Sequence, residues 1–208
     1  MMFTKKSLKP KRVSEMEEMI RKQLEESADV KMKAALMAGE IAKVAEMIVQ
    51  AYKKGGKVLF CGNGGSAADS QHLACELVSK LRLERSALPA IALTTNTSIL
   101  TAISNDYGFE HVFERQVEAL GRPGDVLIGI GTSGNSENVI VAFRKARKMG
   151  LKTVALTGET GGKMAENSEA DVVLKVPSKD TQRIQETHIA IGHVLCDAVE
   201  KAMFGEKK

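Results

Sequence analysis

The stretch KVLFCGNGGSAADSQH, Lys57 to His72, passes from an apolar segment through a glycine-rich turn into residues with helical character. The same pattern returns in DVLIGIGTSGNSENV, Asp125 to Val139. Each loop leaves backbone N–H groups and Ser or Thr hydroxyls at a helix N-terminus, which suits an anion such as phosphate. One such loop is ordinary turn chemistry. Two of them in a chain of 208 residues point to a phosphorylated small molecule.

Three further apolar runs follow the same rhythm: AIALT (90–94), KTVAL (152–156) and DVVLK (171–175). With 57–61 and 125–130 they make five short strands. Helical stretches separate them at about 66–82, 97–118, 136–149 and 162–167, and a last helix spans Thr181 to Phe204. Strands that alternate with helices pair in parallel through right-handed crossovers. Nearly all-apolar strands fit a sheet covered on both faces. The expected fold is a three-layer α/β/α domain with five parallel strands in the order 2-1-3-4-5. In that order the chain changes direction between strands 1 and 3, and ligands bind beyond the carboxyl ends of the strands at such a crevice. The two loops follow strands 1 and 3, so topology and loop chemistry choose the same place.

Before the first strand, Ser14 is expected to open a helix, with Glu17 completing a capping box. Met16, Ile20 and Leu24 fall on one face of it. A second helix, from about Val30 to Lys54, stops at Gly55–Gly56 and carries the stripe Leu36, Ile41, Val44, Met47, Ile48, Ala51. One small sheet cannot easily cover all these faces, so a homo-oligomer is expected. Residues 1–13 read as a basic tail and 14–208 as a single domain.

Composition narrows the function classes. Aromatics are 4% and Trp is absent, so the core is aliphatic. Cys61, Cys75 and Cys196 are scattered, which argues against a disulfide framework and for a reducing compartment. Of 30 basic residues, five lie in residues 1–12, which hold no acid; the rest of the chain balances 25 basic against 26 acidic groups. The net charge of +4 therefore belongs to the tail and does not indicate nucleic-acid binding. No apolar run approaches the ~20 residues of a membrane span, and no signal peptide follows the early lysines. A cytoplasmic protein is expected.

Two segments carry reactive side chains. His72 and Glu76, at i and i+4, share a helix face beside the first loop. The pair suits general acid–base work or metal ligation. RIQETHIAIGH opens the last helix with Gln185, His188 and His193; Gln185 is closer in helical angle to His188 than to His193. The fourth histidine, His111, shows no evident partner. Asp106, in SNDYGFE, is expected in a turn, there either as part of a helix stop with Gly108 or as a ligand for sugar hydroxyls. A dinucleotide site is disfavoured: GNGGSA follows a strand, but Glu84 does not stand at the end of the second strand, where a ribose carboxylate belongs. No P-loop motif is present.

Together CGNGGSAADSQH, HLACEL, SNDYGF, GTSGNS, LTGETGGKMA and RIQETHIAIGH resemble the sugar isomerase (SIS) domain family, and within it the phosphoheptose isomerases. The likeness runs over about residues 14–204. It implies conversion of sedoheptulose 7-phosphate to D-glycero-D-manno-heptose 7-phosphate, a step towards ADP-heptose and the lipopolysaccharide core, by a homotetramer. It places the acid–base pair on Glu76 and His193. It implies zinc held by His72, Glu76, Gln185 and His193. It assigns substrate contacts to Asn63, Gly64, Ser66, Asp106, Thr132, Ser133, Ser136 and Gln185. Two positions depart from the better-known pattern: Gly131 where many relatives have serine, and Gln182 where some have aspartate. Two non-catalytic SIS-fold readings compete, a regulator that binds a replication-initiation protein and a phosphosugar sensor. Retention of Glu76 and His193 separates this chain from the regulator, and the absence of a recognisable DNA-binding segment separates it from the sensor.

Overall fold

The computed structural model describes residues 10–166 and 169–205. Two helices, α1 (Pro10–Ala34) and α2 (Ala38–Lys53), precede the sheet. The chain then runs β1 (Val58–Gly62), α3 (Gly65–Val78), β2 (Ala90–Ala92), α4 (Thr97–Tyr107), α5 (Glu114–Leu120), β3 (Val126–Ile130), α6 (Glu137–Lys148), β4 (Lys152–Thr157), α7 (Gly162–Ala165), β5 (Val172–Lys175) and α8 (Thr181–Phe204). All five strands pair in parallel in the order β2-β1-β3-β4-β5, as expected.

Alternate side chains along each strand go to opposite faces. Val58, Phe60, Ile128, Ile130 and Leu156 form one core with α2, α3 and α8. Leu59, Cys61, Leu127 and Ala155 form the other with α5 and α6, centred on Phe143. Both cores are almost wholly aliphatic. Burying each such side chain contributes about 1.5–3 kcal/mol against leaving it in water. The long helix α8 starts where it does because Asp180 caps it, accepting hydrogen bonds from the N–H groups of Gln182 and Arg183 at 2.9 and 3.0 Å.

Several boundaries differ from the sequence reading; α3, expected to about residue 82, ends at Val78. The first helix begins at Pro10 rather than Ser14. Proline's fixed φ is pre-organised for a first helical position, and Lys11, Arg12 and Val13 carry no stop signal. That helix also continues through Val30, and the break before α2 is a 3-10 turn at Ala35–Met37. The stretch 97–118 is not one helix. Gly108, at φ +99°, ends α4, and a 3-10 turn at Phe109–His111 leads towards α5. Residues 1–9 of the expected basic tail, and Asn167 at the end of the expected 162–167 helix, lie outside the described residues.

Candidate active site

The first loop turns at Gly64, whose φ of +55° suits a residue without a side chain, and delivers Gly65 into the first turn of α3. No side chain caps α3. A Cβ at Gly65 would collide with the amide of Gln185, so this glycine lets α8 approach the helix start. Ser66 is buried, and its carbonyl accepts a hydrogen bond from Ser70 Oγ at 2.8 Å. The Asn63 amide is held at both ends: Nδ2 donates to Asn138 Oδ1 at 3.0 Å, and Oδ1 accepts from Asn138 Nδ2 at 2.8 Å. Asn138 lies in the first turn of α6, so this pair ties the two loops together.

The second loop is clamped from the other side. Gly134, at φ +68°, would strike the Gly161 carbonyl with any Cβ. Its carbonyl accepts from Met164 N at 2.9 Å, Asn135 Oδ1 accepts from Lys163 N at 3.0 Å, and Gly158 N donates to Thr132 O at 3.0 Å. Ser136 occupies the N-cap position of α6, yet its side chain makes no capping hydrogen bond. Thr132 and Ser133 line a cavity of about 340 Å³ with Glu159, Ser178, Lys179 and Thr181. Lys179 is the cation of that lining. A Cβ at Gly131 would meet Met164 Cε at 3.3 Å and Ser136 Oγ at 3.7 Å, so a serine there needs only a small yield by a flexible side chain.

His72, Glu76 and His193 come together as one cluster. His72 Nε2 is 3.1 Å from Glu76 Oε1 and 2.9 Å from His193 Nε2. The two imidazoles meet edge to face, with ring centroids 4.9 Å apart. Their junction depends on Gly192, where a Cβ would strike Leu73; its absence lets α3 and α8 touch one residue from each histidine. The three donor atoms lie within 4.8 Å of one another. Bonds of about 2.0–2.1 Å to a tetrahedral zinc ion set donor separations of about 3.4 Å, close to the 3.1 and 2.9 Å that join His72 to Glu76 and His193, so these donors suit the metal. Gln185 lies two turns before His193 on α8, with its amide against Gly65.

Other side chains singled out in the sequence have partners of their own. Asp106 is in the last turn of α4 rather than in a turn, and it is exposed. Among the described residues its hydrogen bond is with Asn105 Nδ2, at 2.8 Å, and none joins it to the loops or the cluster. His188 does not join Gln185 in a ligand pair. It is fully buried, its Nε2 donates to the Thr157 carbonyl at 3.1 Å, and burial pushes its imidazole down to about 4. His111 has a partner after all, Glu114 Oε2 at 2.7 Å from its Nδ1. Gln182 is exposed, and its Oε1 accepts from Arg183 Nη2 at 3.3 Å.

Asp69 was not singled out by sequence reasoning. It is buried one turn before His72, its Oδ2 has no hydrogen-bond partner among the described residues, and burial pushes its carboxyl up to about 6, with the charge of His72 pulling the other way. Its spacing of three from His72 was the available signal. Asn138 gave no comparable signal, because its partner Asn63 lies 75 residues away, and Lys179 shares a cavity with Thr132 and Ser133 only once the chain is folded.

Residues 14–158 match the SIS domain family. The chain is 55% identical to a phosphoheptose isomerase of Clostridium acetobutylicum, over 92% of this chain and 98% of that one. The structure superposes on the phosphoheptose isomerase GmhA of Neisseria gonorrhoeae with a TM-score of 0.84 and 46% identity, covering 89% and 99% of the two chains. A phosphoheptose isomerase of Francisella tularensis gives a TM-score of 0.84 at 40% identity, covering 88% and 97%.

Proposed function

The chain belongs to the SIS domain family, among its phosphoheptose isomerases, and on that premise we propose that it interconverts sedoheptulose 7-phosphate and D-glycero-D-manno-heptose 7-phosphate. The observation that carries the reading is the approach of Glu76 and His193, from two different helices, to within 4.8 Å beside the phosphate-suited loops. Aldose–ketose isomerisation moves one proton between C1 and C2 through an enediol. The Glu76 carboxylate takes a proton from C1 of the ketose while the carbonyl oxygen on C2 gains one from His193. His193 then removes the proton of the C1 hydroxyl, and Glu76 returns its proton to C2, leaving the aldehyde. Each group ends as it began.

Ser66, Thr132, Ser133 and Ser136 receive the phosphate, with Asn63, Gly64, Asp106 and Gln185 towards the substrate. Asn63 acts there through its backbone and the remaining lone pair of its carbonyl, since its amide is held by Asn138. His72, Glu76, His193 and Gln185 would hold one zinc ion, which when bound supplies Lewis-acid polarisation of the substrate carbonyl.

A homotetramer accounts for apolar surface that the single chain leaves bare. Met16, Met19, Ile20 and Leu24 of α1 are 48–67% exposed, and an apolar groove lined by Ala38, Ile41, Ala45, Ile191 and Val194 runs between α2 and α8. Among the described residues no helix is long and apolar enough to cross a membrane. We place the enzyme in the cytoplasm, at the entry to heptose supply for ADP-heptose and the lipopolysaccharide core, with residues 14–208 as one SIS domain. The non-catalytic readings are not favoured, because the relatives of 40–55% identity above carry the name of an enzyme.

The test is NMR of purified protein with sedoheptulose 7-phosphate, for wild type and for E76Q and H193Q. Aldoheptose phosphate from wild type alone, with substrate still bound by both variants, supports the assignment. No turnover by wild type, with or without added zinc, overturns it.

A further inference from the structure

Outside the reacting cluster, one buried ion pair touches both helices that build it. We propose that Arg85 and Glu200 are a positioning pair that fixes α3 against α8 and so sets the separation of Glu76 and His193; the proposal rests on the isomerase reading above.

Glu200 lies on α8, two turns beyond His193, and Arg85 lies in the loop that leaves α3. Both side chains are 1% exposed, and Arg85 Nε donates to Glu200 Oε1 at 2.9 Å. The carboxylate also accepts from three backbone N–H groups of that loop: Leu81 at 3.1 Å, Arg82 at 2.8 Å and Leu83 at 3.1 Å. These donors hold the Glu200 carboxyl below the usual carboxylate range although burial opposes them.

The guanidinium faces the other way. Nη2 donates to the carbonyl of Glu76 at 2.9 Å, and Nη1 to the carbonyls of Leu77 and Ser79 at 2.9 and 3.2 Å. The last carbonyls of a helix have no intrahelical partner. Arg85 therefore caps α3 at the very residue that carries the reacting carboxylate, and its charge complements the negative end of the helix dipole. Glu200 fastens that cap to the helix that carries His193. Arg82 adds a second tie, its Nε 3.0 Å from Asp197 Oδ1 on α8.

A buried ion pair is weak evidence for net stability, because desolvation offsets much of its attraction. Hydrophobic residues would hold two helices together without fixing their register. Seven directional hydrogen bonds shared between one loop, one helix end and one helix flank do fix it.

The test uses the full chain with R85K and E200Q, and I140V in the opposite core as a control for simple destabilisation. R85K keeps a charge facing Glu200 but gives up the caps on Glu76 and Leu77, so it is informative alone if E200Q does not fold. Three quantities are read: the imidazole NMR signals of His72 and His193 in metal-free protein, Co²⁺ affinity, and kcat and KM separately. Both variants are expected to shift the imidazole signals, to weaken Co²⁺ binding roughly tenfold or more, and to lower kcat by a similar factor with little change in KM. I140V is expected to alter none of them. Unmoved imidazole signals and wild-type Co²⁺ affinity in folded R85K would overturn the proposal. A wild type inactive on the heptose phosphate would break the isomerase reading instead, while the imidazole shifts still decide the role of the pair.

Discussion

The two glycine-rich loops look alike in sequence and differ in what holds them. The first is fixed by side chains: Asn63 is paired with Asn138, and Gly65 lies under the amide of Gln185. The second is fixed mainly by backbone, its carbonyls and amides interlocked with residues 158–164, where Asn135 Oδ1 adds one side-chain acceptor. The helices that follow differ in the same sense. α3 carries His72 and Glu76 to meet His193, whereas α6 buries Val139, Ile140 and Phe143 and presents only its N-terminus to the crevice. A phosphate needs a rigid cradle of amides and hydroxyls, which an interlocked backbone provides. Proton transfer needs side chains from two elements at a fixed distance, which calls for a close helix crossing. In this account one arm grips and the other reacts.

The largest effects come from breaking the reacting arm. E76Q is expected to lower kcat by about 10²–10⁴-fold, the usual span for loss of a general acid–base group, with KM little changed in steady-state assays. Next is the gripping arm. G134A forces a Cβ into the Gly161 carbonyl at a positive φ and is expected to destabilise the protein by roughly 1–3 kcal/mol in denaturant melts while raising KM more than it lowers kcat. A kcat loss with unchanged KM would show that the two arms are not separable.

The third prediction concerns acid stability. His188 is buried and held neutral, so its folded value lies below the unfolded one near 6.5. Stability from this group is full above pH 6.5 and is lost as the pH falls towards about 4, by about 3 kcal/mol in all. Asp69 acts in the opposite sense: its raised carboxyl favours the folded state below about 4 and loses that contribution as the pH rises through about 6. The two partly cancel between those limits. The difference in stability between wild type and H188Q, followed from pH 7 to pH 4 by urea melts, isolates the histidine and should fall steadily; a flat difference would refute the buried neutral imidazole. The smallest effect is expected for G131S, which restores a hydroxyl beside Ser136 where there is nearly room for it, and should change KM by less than about threefold.

The sheet order and both loops were legible because they are local patterns: short apolar runs, glycine after a strand, helical spacing between. His72 and Glu76 were legible for the same reason, being one helical turn apart. The long-range pairings were not legible. Asn63 with Asn138, Gly65 with Gln185, Gly192 with Leu73 and Arg85 with Glu200 join residues 75 to 120 positions apart, and no period marks them. Helix ends were misread where Pro10, pre-organised for a first helical position, starts the helix ahead of a later cap such as Ser14, and where one glycine, Gly108, interrupts an otherwise continuous stripe.

The central claim is that Glu76 moves the carbon-bound proton. Its most direct test is NMR of sedoheptulose 7-phosphate incubated in D₂O with wild type and with E76Q. The account predicts solvent deuterium at C1 of the ketose or C2 of the aldose with wild type, and none with E76Q under conditions where the variant binds substrate. Deuterium entering at the wild-type rate in E76Q would contradict it and transfer the base to another group of the site.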